Sequence, residues 1–124
     1  MNTKYAAFAL ILAVFALLTL VQLDLPGLYY DEALDVVPTM QLLLGQPVKL
    51  ERGVGLWIGN TALPLMIMDY LGAVNTYLML PFFAVLGINV VSLRLLTIVL
   101  SAITLVLAYR LGSRFFGTAT GLLA

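Results

Sequence analysis

Uncharged apolar stretches and short charged segments alternate along this chain. Residues 5–23 carry no charge. At about 1.5 Å of rise per residue they approach the roughly 30 Å of bilayer hydrocarbon, which predicts a transmembrane helix. A secretory signal has a shorter apolar run and ends in a small-x-small cleavage site. Here the run passes into Gln22-Leu23-Asp24-Leu25-Pro26, so an uncleaved span is expected.

The next segment, 24–72, holds every acidic residue: Asp24, Asp31, Glu32, Asp35, Glu51 and Asp69. Gly45, Pro47, Gly53, Gly55, Gly59 and Pro64 punctuate it. That is long for a structureless connection and predicts a functional external loop with short helices of its own.

Two readings compete for the uncharged stretch 70–93. It could be a second full span, followed by a third over 95–109. Alternatively, 73–86 is a short helix at the membrane surface and the span is 88–109. The second reading places Arg110 and Arg114 in the cytoplasm beside Lys4, in line with the positive-inside tendency. Pro81 and Gly87 also suit a short element, and Arg94 then snorkels near the external end. Residues 115–124 read as the opening of a further span. The expected fold is an all-α membrane protein, with transmembrane helices and an external loop of short juxtamembrane helices. The chain is expected to be the N-terminal part of a longer polytopic domain; a complete small membrane protein is the alternative.

Composition sharpens this. Apolar residues make up 63 % and charged residues 10 %, with mean hydropathy +1.10. A soluble domain of this size has more surface than so few charges cover. Net charge is zero, which gives no electrostatic footprint for nucleic acid. Cysteine and histidine are absent, excluding disulfides, thiol chemistry and the usual zinc ligands. A divalent cation of the magnesium type, held by carboxylates, stays open.

The candidate chemistry centres on Gly27-Leu28-Tyr29-Tyr30-Asp31-Glu32-Ala33-Leu34-Asp35. Asp31 and Asp35 share a helix face at i, i+4. The bland account is a helix start near 33–44, broken or begun afresh at Pro38, with Asp31 as N-cap. The functional account is a carboxylate at the membrane surface, half desolvated by Tyr29 and Tyr30 and able to act as a base. Lys49 and Arg52 could hold a phosphate, or simply pair with neighbouring acids. Asp69-Tyr70 could cap the following helix or supply a second acid facing Asp31. Trp57 and the tyrosines fit interfacial aromatic belts.

The pieces also stand in a particular order. Tyr29-Tyr30-Asp31-Glu32-Ala33 follows the first span, then Leu43-Leu44-Gly45-Gln46-Pro47, Tyr70-Leu71-Gly72-Ala73 and Pro81-Phe82-Phe83. Leu93-Arg94-Leu95 and Tyr109-Arg110-Leu111-Gly112-Ser113-Arg114-Phe115-Phe116-Gly117 complete it. This resembles the N-terminal part of the polytopic C-type glycosyltransferases, near the protein O-mannosyltransferase and aminoarabinose-transferase group. The resemblance implies transfer of a sugar from a polyprenyl-phosphate carrier to an acceptor on the external face of a bacterial plasma membrane. It places the general base on Asp31, with Glu32 beside it. Lys49, Arg52, Asp69 and Tyr70 become candidate substrate contacts, and the partners are the lipid-linked donor, an acceptor and membrane lipids. Where some members carry a Lys-Pro-Pro-type motif, this chain reads Gly72-Ala73-Val74-Asn75-Thr76-Tyr77. A non-enzymatic membrane protein or assembly subunit is the reading from another class.

Overall fold

The computed structural model describes residues 3–25 and 27–124, with side chains from Tyr5 onward. The Lys4 side chain, on which the expected cytoplasmic N-terminus leans, lies outside the described residues. The chain forms two compact units, one from 1–25 with 97–124 and the other from 26–96.

The first unit contains α1 (Thr3–Leu20), most of α4 (Val90–Phe116) and α5 (Thr118–Leu123). Helix α1 stops at Leu20, and Gln22 takes a left-handed φ of 58° in the turn that follows. Phe8 stacks on Tyr109 with ring centroids 4.0 Å apart and planes 13° from parallel. Gly117, at φ 92°, separates α4 from α5. The two helices then approach backbone to backbone: a Cβ added to Gly112 would lie 2.9 Å from the Cα of Gly121.

The second unit is mixed. It contains α2 (Tyr30–Leu43), a 3₁₀ turn (Glu51–Gly53), β1 (Gly55–Ile58), β2 (Thr61–Pro64), β3 (Met66–Met68), β4 (Leu71–Gly72), α3 (Val74–Leu86) and the first residues of α4. β1 and β2 pair antiparallel with Ile58 opposite Thr61, so Gly59-Asn60 is a two-residue turn. Gly59 has φ 59° and Asn60 is not at positive φ, the arrangement of a type II′ turn, which needs glycine first. β3 and β4 pair around Asp69-Tyr70, with an irregularity between Met66 and Met68.

The buried centre of this unit lies between α2 and α3. Val36 and Thr39 from α2 are buried, as are Thr76, Met79 and Phe83 from α3 and Leu93 and Leu96 from α4. The Thr39 hydroxyl donates to the Thr76 carbonyl at 3.1 Å, which spares it an unpaired burial. Tyr77 donates its hydroxyl to the Pro64 carbonyl at 2.6 Å, fastening α3 to β2, and burial raises its pKa. Between α3 and α4, Asn89 is the cap: its Oδ1 accepts from the Ser92 amide at 2.9 Å. Ser92 Oγ donates to Gly87 O at 2.8 Å. Helices α2 and α3 run through Pro38 and Pro81 respectively, so neither proline breaks its helix.

Two expectations are corrected. The chain is not an all-α membrane protein, because 55–72 folds into two small antiparallel hairpins. Nor does it present several transmembrane helices: among the described residues, α4 is the one helix long and apolar enough to cross a membrane. The described apolar stretch of α1, Tyr5–Leu20, is shorter, and the chain turns before the expected residue 23. Only 17 % of the apolar window of α4 is buried in the protein, unlike the core helix of a soluble domain. α3 coincides closely with the short helix expected over 73–86.

Candidate functional site

The first turn of α2 carries the Asp31-Glu32 pair, and the structure separates the roles of the two carboxylates. Tyr29, not Asp31, is the N-cap residue. Glu32, three positions later, accepts a hydrogen bond from the Tyr29 amide at 3.1 Å, the back-reaching half of a capping box. The same carboxylate meets Arg94 of α4. Arg94 Nη2 lies 3.3 Å from Glu32 Oε2 and Nε lies 3.4 Å from Oε1. Arg94 Nη2 also donates to the Gly27 carbonyl at 3.3 Å. The Arg94 side chain is largely buried, at 15 % exposure, and the Glu32 side chain is 32 % exposed. Arg94, then the Tyr29 amide, hold the Glu32 pKa below its ordinary value. Glu32 is thus committed to holding the start of α2.

Asp31 is exposed and, among the described residues, its side chain makes no hydrogen bond or ion pair. Tyr29 and Tyr30, expected to desolvate it, are themselves exposed. Asp35, one turn on, accepts a long 3.4 Å hydrogen bond from Asn75 of α3.

The remaining candidates pair with each other or with neighbours. Lys49 Nζ meets Glu51 Oε1 at 2.6 Å, which raises the lysine pKa. Arg52 Nε meets Asp69 Oδ1 at 2.8 Å, joining the 3₁₀ turn to the tip of the β3–β4 hairpin. Arg52 reaches it from a left-handed φ of 52°. Asp69 is therefore neither a helix cap nor joined to Asp31. Tyr70 sits at the same tip, 82 % exposed. Among the described residues no group of three or more acidic side chains could hold a metal ion, so the divalent-cation expectation finds no ligand set there.

Sequence reasoning placed Arg94 near the external end of a span but missed its partner. The signal it could have used is slight: one cation between two long uncharged stretches calls for an acceptor from elsewhere in the chain. No protein-family model, curated protein or solved structure matches this chain.

Proposed function

We propose that this chain belongs to a membrane glycosyltransferase that moves a sugar from a polyprenyl-phosphate carrier to an acceptor at the external face of a plasma membrane. Helix α4 is the span, with Arg110 and Arg114 on the cytoplasmic side. Asp31 is the general base.

One observation carries the assignment: of two adjacent carboxylates, Glu32 is tied up by Arg94 and the Tyr29 amide, while Asp31 stays unpaired and open. A base must reach the proton that it takes. Asp31 removes the proton of an acceptor hydroxyl as that oxygen attacks the anomeric carbon. The bond from that carbon to the phosphate oxygen breaks, and the polyprenyl phosphate leaves with the electron pair. Lys49 and Arg52 can receive the phosphate by exchanging carboxylate partners. Their ion pairs are exposed, and such pairs are weak and easily exchanged.

The test is Asp31→Asn in membranes from cells expressing the gene in full, assayed with a polyprenyl-phosphate sugar labelled in the sugar. The expected result is a loss of transfer of about 100-fold or more with unchanged protein levels. Transfer near the wild-type rate removes Asp31 as base. Absence of any transfer by the wild-type protein favours the assembly-subunit reading instead.

A further inference from the structure

A cleft of about 270 Å³ lies between the end of α2 and the β1–β2 hairpin, and the chemistry of Asp31 does not use it. Its volume is just below the ~300 Å³ at which small-molecule pockets begin. Trp57 and Ala62 face each other across the hairpin, since they are direct cross-strand partners. Ala62 is small and buried, so nothing bulky covers the indole from across the strand, and Trp57 stays 67 % exposed. The rim carries Gln46, Asn60 and Thr61. The side chains of Gln46 and Asn60 make no hydrogen bond among the described residues, leaving two primary amides free to donate and accept. No ionisable residue lines the cleft. The nearest cation in sequence, Lys49, is paired with Glu51.

We propose that this cleft binds a neutral pyranose ring. The apolar face of the sugar stacks on Trp57, and its hydroxyls bond to Gln46 and Asn60. An uncharged lining offers nothing to a phosphate, a nucleotide or an amino acid. The bilayer interface is the competing occupant, because Leu56 and Ile58 are exposed too. Alternation along the strand puts those two on the opposite face from Trp57, so lipid laid on them leaves the Trp57 side of the hairpin uncovered.

Trp57 is the one tryptophan among these 124 residues, so the emission that Trp57→Phe removes is the part that reports on this cleft. The intact protein, in a detergent without a sugar headgroup, is titrated with methyl glucoside, methyl mannoside and N-acetylglucosamine. At least one produces a saturable blue shift with a Kd on the order of 1–10 mM, and acyclic sorbitol produces none. Gln46→Ala and Asn60→Ala each weaken that binding about tenfold. Asp31→Asn leaves it unchanged, so binding is read separately from transfer. The proposal is overturned if no pyranoside saturates below roughly 100 mM, or if both amide variants bind like wild type. It is equally overturned if sorbitol shifts the emission as much, or if sugar-free phosphatidylcholine vesicles do.

Discussion

Arg94 grips both oxygens of Glu32 while its Nη2 also reaches the Gly27 carbonyl, so one side chain fixes the start of α2 to α4. The contact holds only while Glu32 is ionised. Its folded pKa lies below the ordinary value of 4.5. The stabilisation is therefore complete above that value and is lost as pH falls through the folded pKa. Thermal melting of the wild type should fall on acidification in that window, and Glu32→Gln should lack this part of the pH dependence. At pH 7 Glu32→Gln should cost about 1 kcal/mol, a figure that allows for the partial exposure of the carboxylate.

Asn89 should matter more than its exposed, uncharged side chain suggests. It caps α4 through Ser92 and donates to the Leu86 carbonyl at 3.0 Å. Asn89→Ala should cost about 1 kcal/mol, and Asn89→Asp, which keeps the acceptor, markedly less. Chemical denaturation of the purified protein in detergent compares the two.

Gly121 has no room for a side chain. A Cβ there would strike the Ser113 side chain and lie 2.7 Å from the Ser113 amide nitrogen and the Tyr109 carbonyl. Gly121→Ala should cost about 1–3 kcal/mol, and tryptic cleavage after the exposed Arg114 should speed up. Gly27→Ala, where a Cβ meets nothing within 4 Å, serves as the control and should be near neutral.

How far the chain could be read in advance follows from the range of each interaction. The short helix over 73–86 was legible because Gly87 and the uncharged run bound it locally, and α3 ends at Leu86. The acidic start of α2 was legible for the same reason, although Tyr29 proved to be the cap and Glu32 the back-reaching acid. The hairpins were also locally encoded. Gly59-Asn60 between Leu56-Trp57-Ile58 and Thr61-Ala62-Leu63 is a two-residue hairpin signal. The glycines and prolines spread over 45–64 read equally well as loop punctuation, which hides it. The pairing of Arg52 with Asp69 and of Arg94 with Glu32 depends on chain folding back over long separations, which no local pattern carries. For that reason the sequence could name Asp31 and Glu32 together but could not tell the committed carboxylate from the open one.

The Arg94 contacts also impose an order on synthesis. Glu32 and Gly27 precede Arg94 by 62 and 67 residues. A ribosome adds about 5–20 residues per second, so Glu32 waits roughly 3–12 s for its partner to be made. During that interval the Tyr29 amide is the contact available to Glu32 from its own helix, and the start of α2 remains adjustable. The nascent segment that begins α2 is thus left open while the next helix is still being built, and the clasp closes only once the first turns of α4 exist.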